Sequence, residues 1–196
     1  AILEEAGLIL DAGRWAMQQA RRAGARLRAV GLAPGRIAVN VSSIQLRQHD
    51  FVRSVEEAIA IADPHGLDLE ITESVVMHDI DANVRKLNEV RAMGVDLAID
   101  DFGTGYSSLA YIARLPISVV KIDRSFVNRL AGDSVSESIV ATIISLTHAL
   151  NRKAIAEGIE TEAQAALLRK LGCDQHQGYL FSRPVSLAEI ERLLVA

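Results

Sequence analysis

Short apolar runs alternate with longer segments in which apolar residues recur every three or four positions, from residue 37 to the C-terminus. Ile37-Ala38-Val39-Asn40-Val41 predicts a first strand. A helix is predicted over 45–62, with Phe51, Val55, Ile59 and Ala62 on one face, and Asp63-Pro64-His65-Gly66 ends it as a turn. Further strands are predicted over 67–72, 95–100, 117–122 and 154–156, the one over 117–122 being rich in β-branched residues. Helices are predicted over 81–93, closed by Gly94, over 106–115, stopped by Pro116, and over 137–150, with Ile139, Ile143, Leu146 and Leu150 inward. A helix over 161–171, closed by Gly172, a sixth strand over 178–181 and a closing helix over 187–195 complete the pattern. The first 30 residues read as mostly helical, with Gly7 and Gly13 marking a break.

This alternation predicts an α/β fold with a mainly parallel sheet and helical crossovers. No linker rich in Pro, Gly or Ser divides the chain, so residues 1–196 read as one domain. With 196 residues, 49% hydrophobic and 23% charged, the chain has the balance of a globular protein. It is long enough to bury roughly 70% of its unfolded surface. No apolar stretch approaches the roughly 20 residues of a membrane helix, and Ala1-Ile2-Leu3-Glu4-Glu5 carries no basic leader region. The single cysteine, Cys173, excludes an intrachain disulfide and a cysteine-based zinc site, and reads as a small buried residue. A cytoplasmic location is the simplest expectation. The net charge of −4 argues against a DNA or RNA polymer as partner.

The informative residues stand where the strands stop. The first strand ends at Asn40, the second at Glu70 and the third at Asp100-Asp101; the fourth carries Lys121 and the fifth runs into Glu157. Gln177 stands just before the sixth. In a closed parallel barrel the C-terminal strand ends converge on the face that hosts the chemistry. Their carboxylates and the Asn40 amide oxygen are hard donors, suited to magnesium, manganese or calcium rather than zinc. Consecutive aspartates suit two metals, with Asp100 bridging them and Asp101 serving the second. Two ions about 4 Å apart can activate a water and stabilise both the attacking and leaving oxygens at phosphorus, with Lys121 steadying the developing charge.

Each feature has an ordinary reading by itself. An isolated Asp-Asp pair is usually a solvated turn, a Lys on a strand is usually an edge residue, and Asn40 could cap the following helix. Asp100-Asp101-Phe102-Gly103-Thr104-Gly105 lacks the full spacing of a phosphate-binding loop. Lys121 could instead form a Schiff base, but the surrounding carboxylates hold it protonated. The five histidines, His49, His65, His78, His148 and His176, read as surface or packing residues. At five successive strand ends, however, the ordinary readings would have to hold independently.

Val39-Asn40-Val41-Ser42, Leu69-Glu70-Ile71-Thr72-Glu73-Ser74, Ile99-Asp100-Asp101-Phe102-Gly103-Thr104-Gly105, Val120-Lys121-Ile122-Asp123, Ala156-Glu157-Gly158-Ile159-Glu160-Thr161 and Gln177-Gly178-Tyr179-Leu180-Phe181 occur in this order. Together they resemble the EAL domain family, bacterial phosphodiesterases that cleave cyclic di-GMP to linear pGpG. The resemblance implies a modified TIM (β/α)8-type barrel and two Mg2+ or Mn2+ ions. It implies that Asn40, Glu70 and Asp100 hold the first metal and that Asp100, Asp101 and Glu157 hold the second, with Glu160 close by. It makes Lys121, Glu157 and Asp101 the catalytic residues, and Asp123 and Gln177 their neighbours at substrate and water. Residues 103–109, including Gly103, Thr104 and Gly105, match a loop that couples substrate, metals and homodimerisation and is anchored by Glu73. It also implies upstream sensory or diguanylate cyclase-type domains, in a parent that is membrane-anchored or not.

The family's Glu-Ala-Leu motif, with an Arg two residues beyond it, belongs on a first strand ahead of the opening helix. Glu5-Ala6-Gly7-Leu8 is not that motif, because Gly7 interrupts it and no Arg follows at the required spacing. The chain therefore resembles the C-terminal four-fifths of such a domain, a barrel incomplete at its N-terminus. Assayed alone, it is expected to be weakly active or inactive and prone to self-association. The contrasting expectation is a degenerate, non-catalytic cyclic di-GMP receptor or protein-interaction domain, which the near-complete ligand set disfavours.

Overall fold

Strand and helix alternate in the computed structural model, which describes residues 2–32, 35–60, 66–76, 79–105, 109–130 and 132–195. The strands are β1 (Ile37–Val41), β2 (Leu67–Thr72), β3 (Asp96–Phe102), β4 (Val119–Ile122), β5 (Lys153–Ala156) and β6 (Gln175–His176). They are hydrogen-bonded in chain order, and β1–β2, β3–β4, β4–β5 and β5–β6 pair in parallel. Parallel neighbours need crossovers, and helices supply them. These are α3 (Ser43–Arg47) and α4 (Phe51–Ile59), α5 (Glu73–Val76) and α6 (Ile80–Ala92), α7 (Leu109–Arg114), α8 (Arg124–Val127) and α9 (Ser134–Ala149), and α10 (Glu162–Lys170). Helices α1 (Ile2–Glu5) and α2 (Ile9–Ala29) open the chain and α11 (Leu187–Val195) closes it. None of the described helices is long and apolar enough to cross a membrane. The fold is thus α/β, as the apolar pattern requires.

The described residues form two compact units, one drawn from 1–71, 75–97 and 185–196, the other from 72–74 and 98–184. In the first, Met17 and Leu27 of α2, Phe51 and Val55 of α4, Leu67, Leu69 and Ile71 of β2, and Leu87 and Val90 of α6 are buried. Gly7, at φ +70°, separates α1 from α2, whereas Gly13 lies inside α2 and breaks nothing. Gly13 is a notch: a Cβ there would lie 1.9 Å from Gln45 Nε2. The helix expected over 45–62 is two helices. Ser42 starts α3 with a reciprocal cap to Gln45, and Gln48 then turns extended, at ψ 143°. Lys86 Nζ donates to the Leu46 and Gln48 carbonyls at 2.8 Å each and so satisfies the broken end. Residues 61–65 of the expected helix end and turn, including Ala62 and His65, lie outside the described residues, as does His78.

In the second unit the core holds Ile99, Phe102, Ile112, Val120, Ile122, Val140, Ile144, Ala154, Ala156 and Leu168. Helix α9 starts earlier than expected, because Asp133 accepts from the Val135 amide and the Ser136 hydroxyl. Its buried row is Ser136, Val140, Ile143, Ile144 and Thr147, so Ile139 is exposed and Leu146 and Leu150 are only partly covered. The sixth strand also differs. It pairs Gln175 with Ile155 and His176 with Ala156, and 178–181 is a turn in which the Phe181 amide donates to the Gly178 carbonyl. Gln177 therefore follows β6 rather than preceding it, at the same end at which the other strands carry their polar residues. The N-terminal part of the helix expected over 106–115, residues 106–108, lies outside the described residues.

Candidate metal and phosphodiester site

Successive side chains on a strand point to opposite faces, so adjacent aspartates should not share a site. The β3–β4 register resolves this. Ile99 stands opposite Val120 and Phe102 opposite Ile122, so Asp100 and Asp101 together face the single position of Lys121. This is a β-bulge, which re-aims side chains locally. Asp101 takes φ +53°, a left-handed conformation that Asp tolerates better than most residues. The Thr104 hydroxyl donates to the Asp101 carbonyl at 2.8 Å and fixes the exit from the bulge.

Lys121 lies on β4 between buried Val120 and Ile122 and is itself 3% exposed. Its Nζ is 2.6 Å from Glu157 Oε1 and 3.4 Å from Asp100 Oδ1. Glu157 is placed by the end of β5, where its amide donates to the Ile122 carbonyl. One carboxylate oxygen each from Asp100, Asp101 and Glu157 lie within 4.8 Å of one another. Three carboxylates against one ammonium leave negative charge in excess. Burial, then the charges of Asp100 and Asp123, raise the Asp101 pKa. For Asp123 burial works upward, but the hydroxyl and amide of Ser125 and a hydrogen bond with Asp101 prevail and lower it. Hard oxygens, excess negative charge and partial burial fit a divalent cation such as Mg2+ or Mn2+. These contacts surround the Lys121 amine with carboxylates, a setting that disfavours Schiff-base chemistry.

The loop after the bulge is gripped by Glu73, which opens α5 and is 2% exposed. Its Oε2 accepts from the Gly103 amide at 3.0 Å, and a Cβ on Gly105 would lie 2.7 Å from its Oε1. Glu160 is exposed and stands outside the three-carboxylate cluster. With Glu157, Gln177, Arg124, Asn128 and Tyr179 it lines a hollow of about 210 Å3. Asn40 and Glu70 belong to the first unit, where the β1–β2 register sets them directly across from each other. The sequence reading missed Arg124, Asn128 and Tyr179. None bears a spacing signal, and the turn after β6 that presents Tyr179 has a strand-like composition.

An EAL domain family model matches residues 1–184. The chain is 45% identical over 191 residues to the bifunctional diguanylate cyclase/cyclic di-GMP phosphodiesterase MucR of Pseudomonas aeruginosa, covering 96% of this chain and 28% of MucR. It is 40% identical over 197 residues to the cyclic di-GMP phosphodiesterase NbdA of the same organism, covering 100% of this chain and 25% of NbdA. The chain thus spans about a quarter of the length of these relatives. The solved structure of the PaMucR phosphodiesterase in complex with c-di-GMP superposes with a TM-score of 0.93 at 45% identity, over 96% of this chain and 77% of that one.

Proposed function

Because the chain belongs to the EAL domain family, we propose that it carries the site for metal-dependent hydrolysis of one phosphodiester of cyclic di-GMP, giving linear pGpG. The observation that carries this reading is the cluster of Asp100, Asp101 and Glu157 around a buried Lys121. Asp100, Asp101 and Glu157 would hold one Mg2+ or Mn2+, and Asn40 and Glu70, set across from each other on β1 and β2, offer hard oxygens for another. Such ions supply Lewis acidity at phosphorus and a nucleophilic water at neutral pH. The rest falls to the chain's own groups. Lys121 offsets carboxylate repulsion and favours negative charge as it develops on the phosphoryl oxygens. Glu73 fixes the loop from Gly103 to Gly105, and Gln177, with Glu160, bounds the hollow beside Glu157. The names of MucR and NbdA support the substrate, and MucR's description as bifunctional supports a longer parent with a cyclase-type domain.

The test is hydrolysis of cyclic di-GMP with Mg2+ or Mn2+, beside direct measurement of nucleotide binding. Lys121→Met and Glu157→Gln should each lower hydrolysis by at least about 100-fold, the scale of a lost charge-stabilising group, with binding changed far less. Wild-type rates in both variants would overturn the assignment. Binding without turnover under either metal, in a version extended at its N-terminus by a Glu-Ala-Leu strand, would favour the receptor reading.

A further inference from the structure

Gly103 stands two residues beyond Asp101 and is confined on two sides. Its amide is held by Glu73, and its φ of +97° is one that a side chain disfavours. A Cβ built there would lie 2.9 Å from Phe126 Cε2, 3.2 Å from Phe126 Cζ and 3.3 Å from Ile143 Cδ1. The edge of the Phe126 ring therefore rests on the Gly103 backbone. Phe126 lies in α8, directly after β4, and its amide donates to the Asp123 carbonyl at 3.1 Å. The β4–α8 segment thus meets the β3 bulge twice, once through Lys121 on Asp100 and once through Phe126 on Gly103. Phe126 is only partly buried, unlike the core aromatic Phe51.

We propose that Phe126 is a positioning residue: its ring braces Gly103 and so keeps the bulged Asp100-Asp101 backbone in the conformation that gathers the carboxylates. The left-handed conformation of Asp101 is intrinsically disfavoured and persists only while its surroundings enforce it. Without the ring, Gly103 can retreat into the vacated space, the bulge can relax toward regular strand, and one carboxylate turns to the opposite face. The functional consequence rests on the metal-site reading above; the mechanical one does not.

The experiment compares the wild-type chain with Phe126→Ala and Phe126→Leu, and with Phe51→Leu as a control of reduced stability in the first unit. Two quantities are read: hydrogen exchange at the Gly103 amide by NMR, and Mn2+ affinity by EPR of the free ion. Phe126→Ala should lower Gly103 protection and weaken Mn2+ binding about tenfold, Phe126→Leu should restore part of both, and Phe51→Leu should change neither by more than its global loss of stability. Unchanged Gly103 protection in Phe126→Ala, or lost protection with unchanged Mn2+ affinity, overturns the proposal. Absence of Mn2+ binding by the wild-type chain overturns the metal-site reading instead, and the exchange measurement still decides whether Phe126 braces Gly103.

Discussion

Asp101 has opposite consequences for stability and for function. Its pKa in the folded chain is raised above 3.8 by burial and by Asp100 and Asp123. A group whose folded pKa is raised favours folding below its unfolded pKa and loses that contribution as pH rises through the folded value. At pH 7 the ionised Asp101 therefore costs stability when no metal is present. Asp101→Asn removes the charge and keeps a residue that accepts positive φ. In chelator at pH 7 the variant should melt slightly higher than wild type, by no more than about 2 °C, and the gain should vanish below pH 3.8. With Mn2+ in excess the order should reverse, because only the intact site gains stability from the ion. Thermal melts at the two pH values, with and without Mn2+, check this. Cys173 shows the contrasting case of a titratable group without a functional setting. Burial raises its pKa, and its Sγ donates to the Ala154 and Gln175 carbonyls, the environment of an inert thiol.

At the scale of elements, backbone hydrogen bonds to Ile159 fix the residues that follow β6. The Ile159 amide donates to the Gln177 carbonyl, and the Leu180 amide to the Ile159 carbonyl. Between these bonds Gly178 passes so close that a Cβ would lie 2.1 Å from the Ile159 oxygen and 2.2 Å from its nitrogen. These atoms are all Ile159 backbone, which leaves no flexible side chain to yield. Gly178→Ala should destabilise the chain by about 3 kcal/mol, the upper range for overpacking, measured by urea unfolding. It should also disturb the hollow that Gln177 and Tyr179 line. A loss under about 0.5 kcal/mol would show that the turn has more room than its backbone contacts imply.

At the scale of the whole molecule, the chain ends where it began. Residues 185–196 belong to the first unit with α1 and α2, although the second unit separates them in sequence. Helix α11 is tied there by Arg26, whose Nε lies 2.6 Å from Glu191 Oε1. The tie is light. The pair is largely exposed, worth under about 1 kcal/mol, and α11 has no fully buried residue. Ending the chain after Pro184, where the family match also ends, should therefore cost only about 1–2 kcal/mol of stability. Urea unfolding of the shortened chain checks this, and a loss above about 4 kcal/mol would mean that α11 buries more than it exposes.

The sequence by itself determined the alternation of strand and helix, because burial of one face imposes a period on residues close in the chain. It also marked the strand ends that bear polar and charged side chains, since Asn40, Glu70, Asp100, Asp101, Lys121 and Glu157 are unusual where apolar runs stop. It placed the wrong strand at the end of the chain, because Gly178-Tyr179-Leu180-Phe181 has strand-like composition while its conformation is set by the Ile159 backbone, about 20 residues away. Likewise it made Ile139 a core residue, because adjacent apolar rows on α9 look alike until the Asp133 cap fixes the helix start. Only the tertiary structure decided how two neighbouring aspartates share one site. That depends on one skipped position in the β3–β4 register and on the positive φ of Asp101. Register is a relation between segments distant in sequence, and no local pattern encodes it. The grip of Glu73 on Gly103, and the ring of Phe126 against it, are equally non-local. Chemistry is legible in residue types along the chain, and its geometry arises only where separate strands meet.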